Sequence, residues 1–234
     1  MKILALDTAM GACSVGFFDA DDAQRSMSSV MPMTRGHAEK LVPLIKDVLI
    51  KAQADFSDID LVAVTTGPGA FTGLRIGMST AEALALSLQI PAVGVTTLAA
   101  LAAAYFSKQN NITQPVLVII ETKRTDFYGQ LFSAEGEELS EPFAMPGEDI
   151  AGEYLSSPVT VIGDALARFA AEVPETARVN ITPCEGFELC DPLYIARIAQ
   201  GLHASGALPE QLKPVYLRGA DVSQSKRVYR VIAD

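Results

Sequence analysis

Histidine is scarce in this chain: His37 and His203 are the two among 234 residues. Nucleophilic catalysis by serine or cysteine needs a base held beside the nucleophile. No cysteine here has a histidine near it in sequence, so no such constellation is predicted. Cysteine is equally sparse. Cys13, Cys184 and Cys190 form an odd set without CxxC spacing, which excludes a disulfide framework or zinc site and fits a reduced, cytoplasmic setting. Positive charge is also short, with 18 Lys and Arg against 28 Asp and Glu and a net charge of −10. An acidic chain repels a phosphate backbone, so tight nucleic-acid binding is not expected. The basic residues cluster only in the tail, at Lys226, Arg227 and Arg230. Long apolar runs are missing too. The stretch from Ala92 to Phe106 is too short for a membrane span and is broken by Thr96 and Thr97. The run from Ile3 to Leu6 stops at Asp7, so no signal peptide is expected.

What is present is a globular α/β pattern, 49% apolar. Lys2 to Asp7 reads as a buried strand ending in an acid, Cys13 to Asp19 as a second strand, and Gln24 to Val30 as a weaker third. Three antiparallel strands opening a chain, with an acid closing the first, point to an actin-like/Hsp70-like two-lobe fold. In that fold the acid faces nucleotide phosphate and metal. The usual glycine two residues after it is Ala9 here, and Asp7 reads equally as a turn cap.

Thr34 to Ala52 carries apolar residues at helical spacing (Ala38, Leu41, Val42, Ile45, Val48, Leu49), with Thr34 as the expected N-cap and Pro43 inside. His37 falls in its first turn and reads as a surface or interface residue. Leu61 to Thr65 reads as a buried strand. A glycine-rich turn follows, and then a helix from Leu74 to Gln89 whose single charge beyond Ile76 is Glu82. A helix apolar all round is buried in its own core or half-buried against a partner. Gly77, Ala81 and Ala85 form a row of small residues on it that permits close approach, either to a partner or to the chain's own sheet.

The turn between strand and helix runs GPGAFTGLRIG from Gly67 to Gly77. Such a turn aims backbone N–H groups at anions. It is no P-loop, because five residues separate Gly67 from Gly73 and Leu74 replaces the lysine. It is no dinucleotide fingerprint, because Thr72 replaces the third glycine. Anion binding and close helix–sheet packing are weighed equally on spacing alone.

The whole string resembles the signature of the TsaB family, the non-catalytic subunit of the bacterial machinery that installs threonylcarbamoyl on tRNA adenosine. ILALDT from Ile3, HAEKLVPLI from His37, IPAVGV from Ile90 and PVYLR from Pro214 occur in the same order as in that family. The resemblance implies an actin-like chain with a reduced C-terminal lobe. Residues 1–108 form the expected N-terminal lobe and residues 109–234 a smaller lobe and tail, divided at the polar stretch from Ser107 to Gln114. It implies docking to the catalytic paralogue TsaD, with TsaE as a further partner and a homodimer when the chain is alone. The expected interface comprises His37, Leu41, Leu44, Ile45, Arg75, Gly77, Met78, Ala81 and Ala85, and tight direct tRNA binding is not expected.

In TsaD a similar loop, helix and proline strand precede a metal-binding His-x-x-x-His. That register places Thr97 and Leu101 at the ligand positions, so no metal, no cofactor and no catalytic residue are expected. Weak ATP or ADP binding stays open, with Asp7, Thr8, Gly67, Gly69, Thr72 and Gly73 as candidates. One rival reading is an actin-like ATPase or small-molecule kinase using Asp7 and the Gly67 to Gly73 loop. Another is a peptidase, against which the missing histidine pair argues. Glu121 and Asp126 flank a hairpin turn and read as surface acids.

Overall fold

Two five-stranded sheets carry the fold in the computed structural model, which describes residues 1–207 and 211–218. The first sheet contains β1 (Lys2–Asp7), β2 (Ala12–Asp19), β3 (Met27–Pro32), β4 (Leu61–Gly67) and β5 (Ala92–Thr96). Their spatial order is β3-β2-β1-β4-β5. β1, β2 and β3 pair antiparallel, β1 and β2 through a short turn and β2 and β3 through a loop with one 3-10 turn at Ala23–Arg25. β4 runs parallel to β1 and β5 parallel to β4. Parallel neighbours need crossovers, which are α1 (His37–Lys51) before β4 and α2 (Phe71–Leu88) after it. β4 is buried along its whole length, because helices cover both faces of the sheet.

α3 (Thr97–Lys108) leads out of the first sheet. The second sheet then repeats the plan with β6 (Val116–Glu121), β7 (Asp126–Phe132) and β8 (Phe143–Pro146) as its antiparallel strands. α4 (Gly147–Tyr154) leads to β9 (Val159–Ile162), which runs parallel to β6. α5 (Leu166–Glu172) and α6 (Glu175–Arg178) lead to β10 (Ile181–Pro183), parallel to β9. The order β10-β9-β6-β7-β8 matches the first sheet strand for strand. This duplicated topology, invisible in the letters, is the actin-like two-lobe fold. The second lobe is the smaller: short α5 and α6 stand where the first lobe has the 18-residue α2.

α7 (Pro192–Ala204) begins with an acid N-cap and a proline in its first turn, Asp191-Pro192, a pair that by itself satisfies a helix start, and the Asp191 carboxylate accepts the Leu193 N–H at 3.0 Å. Although it follows β10, it returns to pack on β1, β2 and α3. Leu98 and Leu101 of α3, Ile195 and Ala199 of α7, Ile3 and Ala5 of β1, and Val116 and Val118 of β6 share one core. α1 and α2 cover the other face of the first sheet, and α4 and α5 that of the second.

Several local expectations are corrected. α1 starts at His37, and its N-cap is Gly36 in the left-handed region at φ 87°; Thr34 lies exposed ahead of it. α2 starts at Phe71, so Phe71 to Gly73 form its first turn and the loop proper is only Gly67 to Ala70. β8 spans only four residues, too few for an alternation to register in the letters. Val179 is the C-cap of α6, and β10 begins two residues later at Ile181. The basic cluster Lys226, Arg227 and Arg230 lies outside the described residues.

Candidate functional site

Asp7 closes β1 with no exposed surface. One carboxylate oxygen accepts the Thr65 hydroxyl at 2.6 Å and the Ala9 N–H at 3.0 Å. Its other oxygen has no partner among the described residues. Burial pushes the carboxyl up from 3.8 to about 6, against the pull of those two hydrogen bonds. The turn after it is covered from the far end of the chain. The buried Cys190 thiol lies 3.7 Å from the Met10 sulfur and 3.8 Å from the Thr97 carbonyl. Burial also raises that thiol well above its ordinary range. The acid that would face phosphate and metal in an active relative is therefore enclosed by protein.

The glycines of the loop are used for contact with this same turn. A Cβ on Gly69 would collide with the Ala9 carbonyl, and one on Gly73 with the Thr8 carbonyl. One on Gly77 would lie 2.6 Å from the Thr8 hydroxyl. The Thr8 hydroxyl donates to the Gly73 carbonyl at 2.7 Å, and the Ala70 N–H donates to the Ala9 carbonyl at 2.7 Å. Of the two readings of the loop, close packing is the one this geometry supports. Gly67 adopts φ 107° beneath the Val215 carbonyl, and Thr72 is exposed.

Thr97 and Leu101, at the paralogue's ligand positions, have no exposed surface. α3 is capped by Thr96, whose hydroxyl accepts the Ala99 N–H at 3.1 Å. Among the described residues no three His, Cys, Asp or Glu side chains converge as a metal set. Asp126 is not the surface acid expected: it is 4% exposed and pairs with Arg218. Glu121 bonds Arg168 at 2.8 Å.

The expected interface residues divide. Leu41, Leu44 and Ile45 of α1, and Gly77, Met78, Ala81 and Ala85 of α2, are buried in the chain itself. The row of small residues faces its own sheet, because Gly77 and Ala81 let α2 settle onto β1 and β4. His37 is half-buried, and its Nε2 lacks a hydrogen-bond partner. Arg75 is exposed, with its guanidinium 3.9 Å from the centre of the Phe71 ring. The apolar surface left on these helices is different: Val42 and Ile50 on α1, Phe71 and Leu86 on α2.

A cleft of about 530 Å³ opens beside the start of α2. Its walls include Gly69 of the glycine loop with Phe71, Leu74 and Arg75 of α2 from the first lobe, and Thr122, Arg124 and Tyr128 from the second, with residues Val215 to Arg218 crossing between them. The Val215 N–H donates to the Thr66 carbonyl at 2.8 Å. Tyr216 packs on Phe71 with ring centres 5.7 Å apart, and Arg218 pairs with Asp126. Sequence reasoning singled out PVYLR only by resemblance and missed Arg124 and Tyr128, which nothing in the letters joins to it.

The buried Asp7 has a pH signature. Its carboxyl holds a proton up to about pH 6 in the folded chain but only to the ordinary 3.8 when unfolded. Its contribution is thus complete below pH 3.8 and is lost as pH rises through 6, a difference of about 3 kcal/mol at about 1.4 kcal/mol per pH unit. Asp7→Asn should melt higher than the parent chain at pH 7.5, with the gap closing by pH 4. Paired thermal melts across that range are the check, and a gap independent of pH would disprove the assignment.

Residues 24–197 match the family model described as TsaD, tRNA N6-adenosine threonylcarbamoyltransferase. A relative in Escherichia coli K12, the tRNA threonylcarbamoyladenosine biosynthesis protein TsaB, is 37% identical over 128 residues. That match covers 55% of this chain and spans only about half of the relative, 53% of its length. The protein of that name in Haemophilus influenzae is 26% identical over 93% of this chain and 94% of its own. The solved structure of YeaZ from Pseudomonas aeruginosa superimposes with a TM-score of 0.79 at 27% identity, covering 92% of this chain and 99% of that one.

Proposed function

The chain belongs to the family that the TsaD model describes and, within it, to the TsaB/YeaZ proteins; from that premise we propose that it is a non-catalytic subunit of the tRNA threonylcarbamoyladenosine machinery. It docks on a TsaD-type catalytic subunit and holds it in the form that transfers threonylcarbamoyl from its adenylate to the tRNA adenosine beside the anticodon. TsaE is a further partner, and a second copy of this chain occupies the same face when TsaD is absent.

The observation that carries the reading is the exposed apolar surface of α1 and α2. Val42, Ile50, Phe71 and Leu86 are 46%, 73%, 54% and 83% exposed. A shallow groove runs along the first turns of α2, lined by Phe71, Thr72, Arg75, Ile76 and Ser79. Apolar surface gathered on two neighbouring helices marks an interaction site. The enclosed Asp7 and the donor-poor Leu101 favour a supporting role over the ATPase or kinase reading. The chain's net charge of −10 favours leaving tRNA contact to the partners.

Reconstitution tests this. Leaving the chain out of a mixture of TsaD, TsaE, threonylcarbamoyl-adenylate and tRNA should abolish the modification, and restoring it should bring the modification back. The chain alone should neither transfer the group nor hydrolyse ATP, and metal analysis after purification without chelator should find no stoichiometric zinc or iron. Full modification without the chain, or turnover by the chain alone, would sink the proposal.

A further inference from the structure

We infer that residues Leu212 to Arg218 form a clasp that ties the second lobe to the start of α2 and holds the two lobes of the free chain in one relative position. The clasp is a device of the fold itself. It goes beyond the docking role and does not depend on it.

Two lobes of one chain move relative to each other unless a large interface or a tie prevents it. Here the lobes share the core built from α3, α7, β1 and β6, and the cleft lies open between them beside α2. The clasp crosses that cleft, and its first end has a built seat. β4 slips register against β5 between Thr65 and Gly67, a bulge that leaves Thr66 outside the ladder. The freed Thr66 carbonyl accepts the Val215 N–H at 2.8 Å. Gly67 admits the incoming backbone, because a Cβ there would lie 3.0 Å from the Val215 carbonyl. Leu212 is partly buried against the core under α1 and α2. Tyr216 packs on Phe71, and its hydroxyl accepts the Arg75 Nε–H at 3.4 Å.

The other end is held by charge. Arg218 pairs with Asp126, the first residue of β7. Asp126 is buried, and its carboxylate also accepts the Thr122 hydroxyl at 2.9 Å. Arg168 fixes the same residue from behind, donating to the Asp126 carbonyl at 2.8 Å with its guanidinium over the Phe127 ring. A carboxylate so enclosed needs a counter-charge, and losing that partner is costly; Arg218 brings it from the clasp. Backbone and apolar groups thus grip the first lobe, and an ion pair grips the second. Removing the charge frees one end and leaves the other seated.

The distance between spin labels on the two lobes is the test, measured by pulsed electron resonance on the full chain without partners. The labels go on Ser79→Cys in α2 and Ser156→Cys after α4, both exposed positions. The background is Cys184→Ser, since the other two cysteines, Cys13 and Cys190, are buried. The parent should give one narrow distance distribution. Arg218→Gln and Asp126→Asn should each widen it at least about twofold, because the lobes regain the motion of an untied pair. Lys2→Gln is the control. It breaks the Lys2–Asp58 pair at 2.6 Å, which is similarly exposed but lies wholly within the first lobe, and it should leave the distribution unchanged. The inference is overturned by a broad distribution in the parent, by unchanged widths in both clasp variants, or by equal widening in Lys2→Gln. Should Asp126→Asn fail to fold, Arg218→Gln decides alone, because the Arg218 side chain is 33% exposed. None of these results bears on the reconstitution test, which reads transfer by the assembled complex.

Discussion

Gly73→Ala should leave the chain unfolded or melting far below the parent. Gly73 sits in the first turn of α2 against the Thr8 carbonyl, and an added Cβ would occupy the space of that oxygen. Backbone stands on both sides, so no side chain can rotate away. The start of α2 would have to lift off the β1–β2 turn. That would break the Thr8 hydroxyl bond to the Gly73 carbonyl at 2.7 Å and the Ala70 N–H bond to the Ala9 carbonyl at 2.7 Å. It would also expose the buried Asp7 beside them. Overpacking combined with lost buried hydrogen bonds places the cost at about 4 kcal/mol or more, a large part of an ordinary domain's stability. Gly201→Ala in α7 is the control, because no atom lies within 4 Å of its added Cβ. Alanine there should raise stability by about 0.5–1 kcal/mol through helix propensity. Denaturant titrations of both variants check the contrast. A Gly73→Ala chain as stable as the parent would show that the loop is not packed as described.

Ile50→Asp and Leu86→Asp should abolish docking while leaving the isolated chain intact. Both side chains project from the helix pair, 73% and 83% exposed, so substitution should change stability by no more than about 0.5 kcal/mol. At an apolar contact the new carboxylate is buried without a partner. That costs several kcal/mol, which reads as a loss of about 100-fold or more in affinity for the TsaD-type subunit. Ala81→Leu should do the reverse. Ala81 has no exposed surface, and overpacking it should cost about 1–3 kcal/mol of stability with affinity preserved once folded. Melting temperature and partner affinity measured on all three variants separate surface from core. Affinity unchanged within about threefold in both Ile50→Asp and Leu86→Asp would move the docking face elsewhere.

Much of the first lobe was legible in the letters. Ile3 to Leu6 and Leu61 to Val64 are continuous apolar runs, and such runs make strands covered on both faces. Asp191-Pro192 announces α7 because an acid cap and an N1 proline satisfy the helix start by themselves. GPGAFTGLRIG, with its companion stretches, was enough for the family. Each of these depends on residues close together in the chain.

What the tertiary structure decided is what faces what. Gly77, Ala81 and Ala85 permit close approach equally to a partner or to the chain's own sheet. Only the placement of Thr8 and Val64 against them turned the row inward and left Leu86 outside. Asp7 reads identically as an exposed phosphate contact or a buried acid. Its enclosure depends on Thr65, with Met10 and Cys190 over the turn that follows, and Cys190 arrives from the other end of the chain. The cleft joins Phe71, Tyr128 and Tyr216 across more than half of the sequence. Burial and convergence are set by neighbours distant in the chain, and periodicity, which reports only on residues a turn or a pleat apart, carries no record of them.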